Sequence, residues 1–257
     1  DDNQLLLSRL PEYPQLLLWP NTTPLERQQE ALKQLTDAPR PHHRPIVQLL
    51  VPNADHLWPS FSPTEIPPDG WHILTDAARP GTANQRSFVA TALATPDFAV
   101  LEGPPGSGKT TAICELILQI VRRPTPGRVL LCASTHVAVD NVLERLGDPS
   151  RVHSTWINAL RIGDEAKAGD AVKRFLPENR KATDREQLVR FLRSQPATDA
   201  RRHLQDAISD EGLLTRLMLE TSNVVCGTTI GILRLRTLLA GGDHREPKTT
   251  DRAELFD

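Results

Sequence analysis

The chain has 257 residues, 24% of them charged and 39% hydrophobic, the balance of an ordinary globular protein with one large domain or two small ones. Its net charge of −2 excludes the global positive field of a protein that coats nucleic acid, so any grip on phosphates has to be local. No apolar run approaches the ~20 residues of a membrane-spanning helix, which speaks against a membrane partner. The three cysteines, Cys114, Cys132 and Cys226, are far apart, form no C-x-x-C pair and sit in apolar stretches. They read as small core residues in a reducing, cytoplasmic compartment rather than as a zinc site.

Asp1-Asp2-Asn3-Gln4 carries neither a methionine nor a basic-then-apolar targeting pattern, and reads as a position inside a longer chain. Residues 1–80 have a texture of their own, with 13 of the 22 prolines and three of the four tryptophans, Trp19, Trp58 and Trp71. Proline removes a backbone donor and breaks helices, so a Pro-rich accessory or flanking region with few long elements is expected. Thr23-Pro24-Leu25-Glu26 predicts a helix start, with Thr23 as its cap, Pro24 at the first helical position and Leu25, Leu32 and Leu35 on roughly one face. Ile46–Val51 reads as a strand. His42-His43 lies on a proline-rich loop, where solvation is expected rather than metal binding.

A second region is expected over 81–257. Thr82-Ala83-Asn84-Gln85 is another capping box and opens a helix with Phe88, Val89, Ala92 and Leu93 on its apolar side. The Gln85 amide has two readings: it bonds back to the Thr82 N–H, or it reads the N6 and N7 edge of adenine. Phe98-Ala99-Val100-Leu101 reads as a buried strand. It leads into Gly103-Pro104-Pro105-Gly106-Ser107-Gly108-Lys109-Thr110-Thr111, a phosphate-binding loop of the G-x-x-x-x-G-K-[ST] type. Ile113, Leu116, Ile117 and Ile120 follow at helical spacing. Glycines let this backbone curl so that successive N–H groups converge on phosphate oxygens. The helix N-terminus adds about half a positive charge at the same place. Lys109 is placed to reach the β- and γ-phosphates, and the Thr110 hydroxyl to take a position on Mg²⁺.

Arg128–Ala133 is a continuous apolar run and predicts a strand buried on both faces, as in a parallel sheet. Ser134-Thr135-His136 forms a polar turn at its carboxyl end, and Val139, Val142, Leu143 and Leu146 mark the buried side of the next helix. Open α/β sheets bind ligands at the carboxyl ends of their strands. The turn is therefore either a phosphate contact for nucleic acid or simple helix capping. Residues 147–222 read as a helical insertion, with helices over Asp184–Arg193 and Asp199–Leu219, and with Arg161 in a short strand-like run, Leu160-Arg161-Ile162-Gly163. Asn223–Gly227 predicts another buried strand, which places the hydroxyls of Thr228 and Thr229 on the ligand edge. The fold class is α/β with a parallel sheet. The tail from Ala240 reads as a loop.

In that order these segments resemble the superfamily 1 helicases, in particular the senataxin-like and RNA-surveillance branch. Gln85 falls where the family has its adenine-reading glutamine. Leu101–Thr111 looks like the first ATPase motif. Leu131–Leu143 is similar to the next motif, whose turn holds the backbone of single-stranded nucleic acid. Leu160–Gly163 resembles a short run common in this branch, and Val224–Thr229 looks like the later threonine motif. A phosphate loop alone is shared with AAA-type ATPases, and the Ser134–Leu143 stretch is what separates the two. The resemblance implies a RecA-like P-loop NTPase sheet over 81–257, ATP and Mg²⁺ as ligands, and single-stranded DNA or RNA over Ser134, Thr135, His136, Thr228 and Thr229. It also implies a second RecA-like domain further along. Two departures stand out. Gly81-Thr82 replaces the Leu-Asn often found before the glutamine. The family's Asp-Glu pair, which binds Mg²⁺ and activates water, would follow at about where this chain stops, so the segment reads as truncated before the Walker B strand.

The expected function is the ATP-binding part of a nucleic-acid-dependent ATPase or helicase, with these residues alone binding nucleotide but not hydrolysing it. Two alternatives stand beside it: a P-loop ATPase that does not act on nucleic acid, and a non-catalytic nucleotide-binding module.

Overall fold

The computed structural model describes residues 22–43, 61–96, 98–196 and 211–234, with single positions at 47, 198, 199, 201, 203, 204 and 208. The chain forms two compact units, Asp1–Trp58 and Pro59–Asp257. In the first, helix α1 spans Thr23–Asp37 with Thr22 as its cap. The Thr22 hydroxyl donates to Glu26 Oε1 at 2.7 Å. The helix thus starts one residue ahead of expectation. Pro24 sits second rather than first in it, where its missing N–H still lies outside the intrahelical ladder. Leu25 and Leu32 are 61% and 57% exposed. A short 3₁₀ turn, Pro41–His43, follows, in which His43 Nδ1 accepts the Arg40 N–H at 3.2 Å. The strand expected at Ile46–Val51 lies, apart from Val47, outside the described residues.

The second unit begins at Pro59, so the change in composition near residue 80 is not the structural boundary. The reason is physical: residues 70–75, though on the proline-rich side, are hydrogen-bonded to the helix that follows the phosphate loop. The helices of this unit are α2 (Thr82–Ala94), α3 (Lys109–Val121), α4 (His136–Leu146), α5 (Pro177–Ser194) and α6 (Glu211–Thr221). Its strands are β1 (Val129–Ala133), β2 (Ala159–Ile162) and β3 (Val224–Thr228). Among the described residues the sheet has the order β1-β3-β2 and is parallel throughout, with Val224 opposite both Val129 and Ala159. β2 comes from inside the stretch expected to be a helical insertion. Asp184–Arg193 is the latter part of the longer α5, and the helix expected over Asp199–Leu219 is continuous here from Glu211.

Alternation along the strands divides the core. On one face Val224, Cys226 and Ala159 pack with Cys114, Ile117, Leu118 and Val121 of α3 and with Val139, Val142, Leu143 and Leu146 of α4. On the other, Leu160, Ile162 and Val225 pack with Leu214, Met218 and Leu219 of α6. A third cluster joins Trp71 and Leu74 to Val89 of α2 and Ala112 of α3. The sheet between two helical layers is the α/β class expected.

Two expected burials fail. β1 alternates between half-buried and exposed, because Val129, Leu131 and Ala133 face the α3–α4 core while α6 covers β2 and β3 on the opposite side. Cys132 is therefore exposed, whereas Cys114 and Cys226 are buried as expected. Phe98–Leu101 forms no ladder, and Val100 is 80% exposed. A strand needs a neighbour for its N–H and C=O groups, and none of the described strands pairs with this segment. No described helix is long and apolar enough to cross a membrane.

Candidate functional site

The phosphate loop folds as its glycines dictate. Gly106 and Gly108 have φ of 81° and 82°, the left-handed region that a side chain disfavours. Gly108 caps α3. A Cβ on Gly103 would stand 2.7 Å from Ser107 Oγ, so a side chain there would displace the Ser107 hydroxyl. The N–H groups of the first turn of α3, beginning at Lys109, have no intrahelical acceptor and sit at the positive end of the helix dipole. Lys109 Nζ donates to Gly103 O at 2.5 Å and Pro104 O at 2.9 Å. Its ammonium thus rests on the loop's own carbonyls. A cradle of backbone donors, a lysine and a hydroxyl at Thr110 is the donor set that a nucleotide phosphate and its Mg²⁺ require.

Gln85 comes to this loop from 22 residues upstream. Its Nε2 donates to Ser107 O at 2.9 Å, so the amide does not bond back to Thr82. The helix starts one residue earlier than expected: Gly81, with φ of 85°, is its cap, and the Gln85 N–H bonds to Gly81 O. Thr82 is inside the helix and buried. Gln85 and the loop residues Gly103, Pro104, Gly106, Ser107, Gly108 and Lys109 line one cavity of about 370 Å³. Pro105 is exposed outside it, and Thr110 and Thr111 lie half-buried on the first turn of α3. Arg145 Nη1 donates to Thr111 Oγ1 at 3.3 Å. Arg79 borders this cavity and a neighbouring one of about 400 Å³ that Arg145 and Arg151 also line.

A second group of residues lies at the carboxyl end of the sheet. Ala133 pairs with Thr228, and the Thr229 N–H donates to Ala133 O at 3.0 Å. The turn after β3 therefore lies against the turn after β1. Ser134 and Thr135 are exposed there. Thr135 caps α4, its Oγ1 accepting the Ala138 N–H at 3.3 Å, so the capping interpretation holds for this hydroxyl. Thr229 is exposed. Thr228, by contrast, is 8% exposed and its hydroxyl accepts the Gly231 N–H at 3.0 Å. It shapes the turn from behind rather than offering its hydroxyl at the edge, because residue 228 ends the buried strand whereas residue 229 lies in the exposed turn that follows.

His136, first in α4, is tied to the sheet. Its Nδ1 lies 3.4 Å from Arg161 Nη2, and Arg161 forms a buried ion pair with Asp140 at 2.7 Å. The Gly169 N–H adds a third bond to that carboxylate at 3.0 Å. Burial, and then the charges of Arg161 and Lys167, hold the His136 imidazole below its ordinary pKa, which favours the neutral ring.

Sequence reasoning missed three supporting residues. Asp140 is one acid among the apolar positions that mark α4, and only pairing with the strand-borne Arg161 reveals its place. Glu115 interrupts the apolar run of α3 and is fully buried, a signal legible in the sequence. Arg86 gave no signal.

Residues 82–212 match the AAA domain family, about half of the chain. The chain is similar to the DNA-binding protein SMUBP-2 of Mus musculus, 39% identical over 90 residues, which is 35% of this chain and 8% of that protein. It is similar to the DNA polymerase alpha-associated DNA helicase A of Schizosaccharomyces pombe, 35% identical over 85 residues, covering 33% of this chain and 12% of that protein. Over 94 residues it is 35% identical to the DNA replication ATP-dependent helicase/nuclease DNA2 of Saccharomyces cerevisiae, covering 37% of this chain and 6% of that protein. The matched stretch is thus a small part of each of these relatives.

Proposed function

The chain belongs to the AAA domain family as a superfamily 1 helicase motor domain, and from that premise we propose that it binds ATP for movement along, or unwinding of, DNA or RNA. The carrying observation is the Gln85–Ser107 hydrogen bond, which sets a base-reading amide directly on a glycine-curled phosphate loop. Lys109 exchanges its two loop carbonyls for the β- and γ-phosphates, a charge-assisted contact. The first-turn N–H groups of α3 take the remaining phosphate oxygens. Thr110 would hold Mg²⁺, which supplies charge neutralisation at those oxygens when bound. Because Gln85 Nε2 is held by Ser107 O, its Oε1 remains to accept from the N6 amino group of adenine, and it repels the O6 of guanine.

Single-stranded nucleic acid runs over the exposed Ser134, Thr135 and Thr229 and the half-buried His136, with Thr228 fixing the turn beneath. The relatives named above act on DNA by their names, which supports a nucleic-acid partner. The senataxin-like branch, a second RecA-like domain closing on the nucleotide, and a reducing cytoplasmic setting complete the proposal. The last is supported by three cysteines that form no disulfide.

The test is equilibrium binding of a fluorescent ATP analogue. Lys109→Ala should weaken it about ten- to a hundredfold, the worth of a charge-assisted hydrogen bond. Unchanged affinity would remove the phosphate-loop assignment. Oligonucleotide titrated against the same protein tests the second half: absence of binding would leave an ATPase that does not act on nucleic acid.

A further inference from the structure

Residues 70–75 form a strap between α2 and α3. On the α3 side, the fully buried Glu115 accepts three successive backbone N–H groups, from His72 at 3.1 Å, Ile73 at 2.6 Å and Leu74 at 3.0 Å. Gln119 Nε2 donates both to Glu115 at 2.8 Å and to Gly70 O at 2.7 Å. On the α2 side, Arg86 donates through Nε and Nη2 to Leu74 O at 2.9 and 2.6 Å and through Nη2 to Thr75 O at 3.1 Å. Its guanidinium lies 4.8 Å above the Trp71 ring. Trp71 and Leu74 are themselves buried against Val89 and Ala112. The residue before Arg86 is Gln85, and α3 is the helix that begins at the phosphate loop.

A carboxylate is an unfavourable way to fill a core position, since its charge loses its hydration there. Glu115 makes no ion pair among the described residues. What it provides, and an apolar side chain of its size does not, is a fixed direction for three consecutive N–H groups. That fixes the strap on α3. The strap's outward carbonyls then fix Arg86, and with it the rotation of α2 that sets Gln85 over Ser107.

We propose that Glu115 is a positioning residue for nucleobase selection, acting through the 70–75 strap and Arg86 on Gln85. This rests on the nucleotide reading above. It makes a separable claim, because the strap's hydrogen bonds end on Arg86, the residue beside the base reader, and none of them involves Lys109 or the first-turn N–H groups.

The experiment measures affinities for ATP, GTP and inorganic tripolyphosphate in the wild type, Glu115→Gln and Arg86→Met. Glutamine keeps the size of Glu115 and one acceptor oxygen but sets an NH₂ against the His72 N–H and the Gln119 amide, both of which donate to Glu115 Oε1. Methionine keeps the contact with Trp71 and loses the carbonyl bonds. Each variant should lower the ATP-over-GTP affinity ratio about tenfold, the worth of one well-made polar discrimination, while tripolyphosphate affinity stays within about twofold. An unchanged ratio in folded variants overturns the proposal. So does a parallel loss of ATP and tripolyphosphate, which would mean that Glu115 only holds the loop's fold. If Glu115→Gln does not fold, Arg86→Met decides by the same two criteria. A wild type that binds ATP and GTP alike also overturns it. A wild type that binds none of the three instead removes the nucleotide reading itself.

Discussion

Replacing Asp140 with alanine leaves a guanidinium charge buried without its carboxylate. In the intact protein Arg161 donates to Asp140 through Nε at 2.7 Å and Nη2 at 3.3 Å, and the two side chains are 1% and 9% exposed. Arg161 Nη1 already lacks a hydrogen-bond partner, and the other acceptors at the guanidinium, His136 Nδ1 at 3.4 Å and Lys167 O at 3.5 Å, are long contacts that bring no negative charge. Removing one member of such a pair costs about 3–5 kcal/mol. The pair lies in the Pro59–Asp257 unit, and for a domain of this size each kcal/mol moves Tm by about 2–4 °C. Asp140→Ala should therefore melt about 6–20 °C below wild type, measured by circular dichroism. The decisive comparison is the double variant Asp140→Leu with Arg161→Met, which removes both desolvation costs and should recover much of the loss. A shift under about 2 °C for Asp140→Ala, or a double-variant loss equal to the sum of its two singles, would refute the reasoning that the pair is one mutually dependent buried unit.

Other outcomes follow from the same geometry. Gly108→Ala should reduce ATP-analogue affinity at least about tenfold: the backbone there costs a side chain about 1–2 kcal/mol, and a Cβ would stand 2.2 Å from Gln85 Nε2. Wild-type affinity in that variant would mean that the loop refolds freely. Ser134→Ala with Thr135→Ala should weaken oligonucleotide binding and leave ATP binding intact, with a stability loss of about 1 kcal/mol from the missing cap of α4, read as a small drop in Tm. Equal loss of both ligands would make the turn purely structural. Thermal stability should fall as pH is lowered from 7.5 to 5. Burial holds His72 below the ordinary value of 6.5 against the opposing Glu115 carboxylate, and burial, then the charges of Arg161 and Lys167, holds His136 below it. The unfolded chain thus takes up protons first, and the stabilisation present above pH 6.5 is lost as pH falls through the folded values. In His72→Gln with His136→Gln the slope over this window should flatten, and an unchanged slope would exclude these two rings as its source.

Elements whose cause is local were legible in the sequence. The phosphate loop, the apolar faces of α3 and α4, and strands β1 and β3 rest on glycine, helical periodicity and continuous apolar runs, which act within a few residues of chain. Legibility stopped where a partner from elsewhere decides the outcome. Phe98–Leu101 has the composition of a buried strand, yet no described strand pairs with it, and composition cannot supply a neighbour's carbonyls. Cys132 has a core residue's surroundings in the chain, yet it lies on the side of β1 that α6 does not cover. The same limit governs the candidate site. Sequence alone named Gln85 and the loop, since both are motif positions, but its two readings of the amide, a bond back to Thr82 or a contact with adenine, did not include the Ser107 carbonyl 22 residues away. The early start of α2 at Gly81 removed the bond to Thr82. Thr228 and Thr229 are equivalent in sequence and opposite in exposure, because Thr228 ends the buried strand β3 and Thr229 begins the turn that leaves it. The bonds that join Glu115 and Arg86 to the 70–75 strap belong to the tertiary structure: they span 11 to 43 residues, and a hydrogen bond across that distance is set by packing, not by the chain's local preferences.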